Sequence, residues 1–415
     1  MTARIALLAG PTTYRGEAFL EAAQKLDLVV LRVVDTPAAL ASGARGNWLE
    51  LDFAAQQDAI AALRRRHAQE PLAAVVALDD SATMLAAQVA AALGLPHNDP
   101  NAALAARNKW VMREALARGG VPVPTYRQVA LDEDPAPAAL EIGFPVVVKP
   151  ITLSGSRGVI RANDAAELRA AFARAREIVR AAGYGPDEGV LLLERYLPGV
   201  EVALEGLLTA GSLQTLALFD KPDPLEGPYF EETIYVTPSR LAPDVQKAIS
   251  TRTAEAAAAL GLREGPVHAE LRINDEGVWL IEMAGRSIGG LCSTVLEFGA
   301  GISLEEIILR HAMGAELPAD TGMDHAAGVM MIPIPRGGIL REVTGTEAAA
   351  VVPGVTGIDI TAPLHQPLAP LPEGASYLGF IFAQGRTPED VEAALRTAHA
   401  ALKFRIEPAI PLRVA

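Results

Sequence analysis

The stretch Gly265–Gly290 reads GPVHAELRINDEGVWLIEMAGRSIGG. Apolar residues at Leu271, Ile273, Trp279, Leu280 and Ile281 flank an Asn-Asp-Glu-Gly turn, so two short strands in a hairpin are expected. Glu270 and Glu282 fall one on each strand, and Arg286 follows four residues after the second carboxylate. Two carboxylates facing the same way across a hairpin make a hard-oxygen site suited to Mg²⁺. A neighbouring arginine suits phosphate, because its planar fork binds oxyanions bidentately. An ordinary solvent-facing hairpin could carry the same residues, so the choice rests on what surrounds the stretch.

Composition narrows the classes. The chain has 415 residues, 50% of them hydrophobic and 21% charged, which is globular rather than disordered. Its net charge of -14 argues against a nucleic acid or an anionic membrane as partner, while leaving room for a local basic pocket. Cys292 is the only cysteine, so an intrachain disulfide or a cysteine zinc site is excluded. With no signal peptide visible, a reducing cytoplasm is the expected location. The apolar run near Ile5–Ala9 is too short to span a membrane and reads as a buried first strand.

Residues 1 to about 107 alternate apolar strands with helices, which predicts a parallel sheet covered on both faces. Ligands of such sheets sit beyond the carboxyl ends of the strands, here Gly10–Tyr14 and Asp79–Ser81. A helix over Ser81–Leu93, capped by Ser81 and stopped by Gly94, follows the second of these. Neither GxGxxG in the first loop nor GxxxxGK[ST] anywhere is present. Asn108-Lys109 opens the next helix, where the dipole disfavours a cation. Lys149 ends the apolar run VVVK, and Ser154-Gly155-Ser156-Arg157-Gly158 follows. A small-residue loop offers backbone N–H groups to an anion, and a lysine beside it supplies a fixed cation. In VLLLERYLPGVE, the backbone at Arg195–Leu197 could pair with a purine edge, and Glu201 could hold ribose hydroxyls. In a plain hairpin Glu194 and Glu201 would instead be surface charges. A segment with Glu232 and Tyr235, a helix to Gly261, the opening hairpin and a helix over Ser303–His311 come next. Beyond about Asp320 the Gly/Pro/Val-rich sequence, a strand from Tyr377 and a helix over Thr387–Leu402 suggest a small α+β domain.

Set in order, Asn108-Lys109, VVVKP, SGSRG, LLLERYLPGVE, HAELRI and LIEMAGR resemble the ATP-grasp superfamily over roughly residues 95–315. The ending YLGFIFAQGRTPEDVEAAL is similar to the C-terminal domain of its L-amino-acid ligase branch. The resemblance implies an α/β and α+β multidomain fold. Residues 1–107 would be a Rossmann-like parallel-sheet domain, 108–195 a linker helix and lid, 196–318 the central catalytic domain, and 319–415 the small C-terminal domain.

The resemblance also implies roles. Lys109 and Lys149 would contact the phosphates of ATP, and Ser154, Gly155, Ser156 and Gly158 would close over them. Glu194, Arg195, Tyr196 and Leu197 would surround adenine, and Glu201 would hold ribose. Glu270 and Glu282 would bind Mg²⁺, with Mn²⁺ as a substitute. Arg286, with Lys149, would act on the transferring phosphoryl group. Glu232 would lie near a substrate ammonium with Tyr235 beside it, and Gly289 and Gly290 would leave a roomy or backbone-lined substrate site. His268 would be either a support for the metal ligands or a core histidine, and Cys292 a small buried residue.

One position departs from the pattern: Ala284 stands where many relatives carry an asparagine metal ligand. The implied activity is a cytoplasmic, ATP-dependent carboxylate–amine ligase acting through an acyl phosphate, joining amino acids or an amino acid and a small carboxylate. A ligase or carboxylase for a non-amino-acid carboxylate and a nucleotide-binding pseudoenzyme are the alternatives. Partners would be small molecules and a second copy in a homodimer, with neither nucleic acid nor membrane.

Overall fold

The computed structural model describes residues 2–11, 13–41, 44–183, 189–299, 301–318 and 322–409. Thr12 of the first loop and the junction at 319–321 lie outside the described residues.

Parallel strands Trp48–Leu51, Val29–Asp35, Arg4–Ala9 and Ala74–Ala77 lie side by side in that order, with a short antiparallel edge at Ala44–Arg45. Along the central strand Arg4–Ala9, Ile5, Leu7 and Ala9 enter one hydrophobic cluster while Ala6 and Leu8 enter another. Burial on both faces explains the unbroken apolar runs. The carboxyl ends of Arg4–Ala9 and Ala74–Ala77 are tied together, since the Gly10 N–H donates to Asp79 Oδ2 at 2.8 Å. The helix expected to be capped by Ser81 instead spans Asp80–Leu93. Asp79 is the extended residue before it, so Ser81 already lies in the first turn and its hydroxyl donates to Asp79 at 2.5 Å. Gly94 ends that helix in the left-handed conformation, at φ 69°.

The segment after Lys109–Arg118 builds a four-stranded antiparallel sheet in the order Tyr126–Ala130, Val190–Arg195, Val146–Pro150, Ile160–Ala162. Helix Ala165–Ala181, capped by the Asp164 carboxylate, packs Leu168, Phe172 and Val179 onto its apolar face. Next comes an antiparallel sheet of eight strands, running Gly277–Ala284, Gly265–Asn274, Val200–Thr209, Ser212–Asp220, Ile234–Thr237, Ala326–Ile332, Gly379–Gly385, Val355–Asp359. Helix Pro243–Leu260 covers one face of its first half through Ile249, Ala256 and Leu260.

The last three strands of that sheet follow residue 319, so the terminal segment continues the central sheet through Ile234–Thr237 pairing with Ala326–Ile332. Helix Pro388–Ala401, capped by the Thr387 hydroxyl, packs under them. A separate three-stranded sheet joins Pro367–Leu368, Gly338–Thr344 and Lys403–Glu407. The largest core cluster runs from Ile5 and Phe19 through Phe219 and Tyr235 to Phe380. It therefore fastens the N-terminal sheet, the central sheet and the terminal strands together at one place. Among the described residues no helix is long and apolar enough to cross a membrane.

Candidate active site

The opening hairpin forms as Gly265–Asn274 and Gly277–Ala284, and Glu270 stands directly opposite Glu282 in its register. Opposed residues of an antiparallel pair project from the same face. An irregularity beside Glu270 shifts the register to Leu271 opposite Leu280; such a bulge bends the strand and re-aims its side chains.

A cavity of about 470 Å³ opens over these carboxylates, between the N-terminal sheet, the four-stranded sheet, the central sheet and the terminal strands. Every site residue expected from the sequence lines it except Gly158. The Gly158 N–H is donated to Pro372 O at 2.9 Å, and a Cβ there would meet Pro150 Cγ at 2.7 Å, so the glycine serves the close approach of backbone to proline. Ser154, Gly155 and Ser156 do face the cavity. Their loop rests on the terminal segment: Arg157 Nε donates to Glu373 O at 2.9 Å, and Arg174 forks onto the Glu373 carboxylate at 2.6 and 2.8 Å.

Most cations of this cavity are held by carboxylates. Lys109, only 7% exposed although it opens a helix, donates from Nζ to Leu153 O at 2.8 Å and to Glu282 at 3.1 Å. Asn108 caps that helix by accepting from the Trp110 and Val111 N–H groups. Lys149 pairs with Glu194 at 2.5 Å, and Arg113 takes the other side of the same carboxylate. Glu194 is thus buried, and its contacts are to the lysine and arginine rather than to solvent. Burial alone would raise its carboxyl, but Arg113 and Lys149 lower it to about 2. Burial, with Arg113 and Lys109 close by, lowers the Lys149 ammonium from its ordinary value while Glu194 opposes this.

Lys221 is one residue that sequence reasoning passed over. It is 6% exposed and reaches Glu201 at 2.9 Å, Glu232 at 2.5 Å and Glu270 at 3.7 Å. Burial would lower its ammonium, yet the three carboxylates hold it well above its ordinary value. Glu201, Glu232 and Glu270 are close enough together to hold a metal ion. The lysine already occupies that role, with its Nζ amid the three groups. Glu201 is also gripped by Arg272 at 2.7 Å, so it is buried and not a surface charge. Glu232 receives both Lys221 and the Tyr235 hydroxyl on the same oxygen, Oε1. Burial raises its carboxyl above the ordinary value. The signal for Lys221 was its place at the end of the apolar strand Ser212–Asp220, the same pattern that exposed Lys149. Arg113 was readable in a similar way, since it stands one turn after Lys109 on the face of Met112 and Leu116.

His268 bridges Glu205 through Nδ1 and Glu270 through Nε2, the latter at 3.4 Å. Burial opposes its protonation, but Glu205 and Glu270 raise it to about 9. A protonated imidazole has no lone pair for a metal, so His268 supports Glu270 as a cation instead. Burial would raise Glu270, and Lys221, His268 and Lys109 hold it well below the usual carboxylate range. Ala284 is 5% exposed and stands opposite His268, so the hairpin offers two side-chain oxygen ligands, Glu270 and Glu282. Mg²⁺ commonly takes one or two carboxylates and completes its octahedron with water and phosphate oxygens, and this donor set fits it.

Arg286 is forked onto Asp80 at 2.8 and 2.7 Å, reaching across to the carboxyl end of the N-terminal sheet. Arg15, also unremarked in the sequence, anchors the same turn by donating to Ile288 O at 2.7 Å and Glu305 at 2.6 Å. The two glycines behave differently. A Cβ at Gly289 would meet nothing within 4 Å among the described residues, whereas one at Gly290, where φ is +61°, would meet Phe380 Cε1 at 3.2 Å. The space expected at both is therefore present at Gly289 and filled by a ring at Gly290. Tyr14, Tyr377 and Phe380 make the apolar wall there, with ring centroids 6.0 Å apart in each pair with Phe380. Cys292 is buried, and burial pushes its thiol up. Tyr196 stacks near Phe230 and takes the Arg161 guanidinium over its ring at 4.0 Å. The N–H groups of Arg195 and Tyr196 are donated to Thr125 O and Pro145 O, and Leu197 O accepts from Arg272.

These shifts set an acid limit. The depressed Glu194 carboxyl contributes stability that is complete above the ordinary value of 4.5 and is lost as pH falls through about 2. The melting temperature is expected to hold between about pH 6 and 5 and to fall from 4.5 downward. A Glu194→Gln variant should start lower at pH 7 and lose less over that window; an equal acid slope in both proteins would refute the assignment. The raised His268 works in the other direction, its contribution being complete below 6.5 and lost as pH rises through about 9.

Three family models match the chain: an ATP-grasp N-terminal domain at residues 20–97, an ATP-grasp domain at 142–295, and an L-amino acid ligase C-terminal domain 2 at 330–407. The chain is similar to the protein y4rH of Sinorhizobium fredii, 24% identical over 314 residues, covering 76% of this chain and 64% of that one. It is 28% identical over 233 residues to an alanine–anticapsin ligase of Bacillus subtilis, covering 52% of this chain and 49% of the ligase. The chain thus spans about half to two thirds of these relatives. An L-amino acid ligase structure from Bacillus licheniformis shares the fold with a TM-score of 0.80 and 24% identity, covering 98% of this chain and 99% of that one.

Proposed function

We propose, from the premise that this chain carries ATP-grasp domains along most of its length, that it is an ATP-dependent carboxylate–amine ligase. The observation that carries this reading is one cavity lined by Lys109 and Lys149, the Ser154–Ser156 loop, and the opposed pair Glu270 and Glu282. The reading includes the four-part division at 107, 195 and 318.

The chemistry has two steps. A substrate carboxylate oxygen attacks the γ-phosphorus of ATP, the bond to the β–γ bridging oxygen breaks, and ADP leaves. An amine then attacks the acyl carbon, its C–O bond to phosphate breaks, phosphate departs with that oxygen, and the amine loses a proton. Mg²⁺ held by Glu270 and Glu282 would neutralise charge on the phosphate oxygens. Lys109 and Lys149 bind the phosphates, and their carboxylate partners fix where each ammonium sits. Arg195–Leu197 bound the adenine end, and Glu201, held by Lys221 and Arg272, faces the ribose. Arg286, seated on Asp80, would act on the transferred group. Glu232 keeps Oε2 for a substrate ammonium, because its known partners use Oε1. An acyl phosphate must be kept from water. The loop at Ser154–Gly158, seated on Pro372 and Glu373, provides that cover.

Amino acids, alone or with a small carboxylate, are the proposed substrates, and the L-amino acid ligase terminal domain and the alanine–anticapsin ligase likeness support them. The test is ADP release over pairs of amino acids, with bicarbonate and a non-amino-acid carboxylate as further arms and product mass as readout. Amine-dependent ADP release with an amide product is expected. Release with bicarbonate alone would replace the reading with a carboxylase, and ATP binding without any release would replace it with a pseudoenzyme.

A further inference from the structure

We infer that Arg107 binds the oxyanion at the reaction centre, the substrate carboxylate or the phosphoryl group it receives. This rests on the ligase reading above. Arg107 is the last residue of helix Pro100–Arg107 and lines the cavity directly before Asn108 and Lys109. It is half-buried. Among the described residues it has no ion pair, whereas each other lysine or arginine of the cavity sits on a carboxylate.

That difference matters for charge. Glu232, Glu270, Glu282 and Asp80 all line the same space, so an arriving carboxylate is repelled unless an uncommitted cation draws it in. Arg286 is neutralised in large part by its fork onto Asp80. Burial would raise the Asp80 carboxyl, but Arg286 lowers it and Arg107 is near enough to add to that lowering, which places Arg107 at the same junction. It therefore neighbours Lys109 in the chain and the Asp80–Arg286 pair across the cavity. A guanidinium there can fork onto a planar carboxylate or two phosphoryl oxygens. The plainer role is a cation at a helix C-terminus, which interacts with the last carbonyls and nothing else.

Steady-state kinetics of Arg107→Gln and Arg107→Lys, with a thermal melt of each, separate these roles. Arg107→Gln is expected to cut kcat/KM for the carboxylate substrate by about 100-fold, the size of one lost charge-assisted contact. Its melting temperature should stay near that of the wild type, and KM for ATP should change less than about threefold. Arg107→Lys should recover part of the loss, because it restores the charge without the fork. A rise in KM for the carboxylate marks the substrate as the oxyanion, and a fall in kcat alone marks the transferred phosphoryl group. Kinetic constants within about twofold of wild type in Arg107→Gln, or a loss matched by unfolding, would overturn the inference. Should the wild type turn over no substrate pair, the ligase reading fails by itself. Calorimetry of inorganic phosphate with ADP and Mg²⁺ then decides Arg107: about tenfold weaker binding in Arg107→Gln supports it, and equal binding overturns it.

Discussion

Replacing Glu282 by alanine is expected to lower ADP formation by about a thousandfold or more while leaving the fold intact. The size follows from the several kcal/mol that a bound metal contributes to charge stabilisation, at about 1.4 kcal/mol per tenfold in rate. Glu282 has a side chain 34% exposed and, among the described residues, one ion-pair partner, Lys109 at 3.1 Å, so its loss removes little packing. The melting temperature should move only as far as an ordinary surface substitution moves it, within about 0.5 kcal/mol of stability. Loss of Lys109 positioning is a rival explanation. Calorimetry of ATP with and without Mg²⁺ separates them, since only the Mg²⁺-dependent part of binding should weaken if Glu282 is a ligand. Turnover within about tenfold of wild type would sink the metal assignment.

The second large effect is on stability. Lys221→Met removes the buried ammonium that three carboxylates share. Glu201 keeps Arg272, but Glu232 and Glu270 are left facing each other with less cation between them. Breaking a buried ion pair from one side costs about 3–5 kcal/mol, because the remaining charge is uncompensated. Contact with the Tyr235 ring, 4.9 Å from Nζ, is lost as well. Urea unfolding measures the change, and adding Glu232→Gln should restore part of it by removing one uncompensated charge. Chelation by EDTA should leave the wild-type stability unchanged. If EDTA destabilises the wild type and Lys221→Met costs under about 1 kcal/mol, a metal rather than the lysine holds the three carboxylates.

The hairpin shows what the sequence could carry. Its turn, its apolar alternation and its two glutamates all act within a few residues, and Glu270 opposite Glu282 follows from strand register. Lys109 and Lys149 were legible because each breaks a local rule, one at a helix start and one at the end of an apolar strand. The pairings were not legible. Arg286 meets Asp80 across 206 positions, and Lys109 meets Glu282 across 173, so only the assembled sheets define them. Lys221 stayed hidden for the same reason: its three partners arrive from three different segments. Ala284 was noted as a missing ligand, but the protonated His268 opposite it depends on Glu205, which lies on a third strand. Gly290 read as empty space because the ring that fills it, Phe380, comes from the far end of the chain. The continuity of the terminal strands with the central sheet is likewise a long-range pairing that composition does not reveal.

The central claim is that a carboxylate is phosphorylated before an amine attacks it. Oxygen-isotope transfer tests this most directly, using a carboxylate substrate labelled with ¹⁸O and mass spectrometry of the released phosphate. The account predicts that each phosphate carries one oxygen from the carboxylate, formed together with one ADP and one amide. Phosphate released without the label, from any pair that yields ADP, would contradict it.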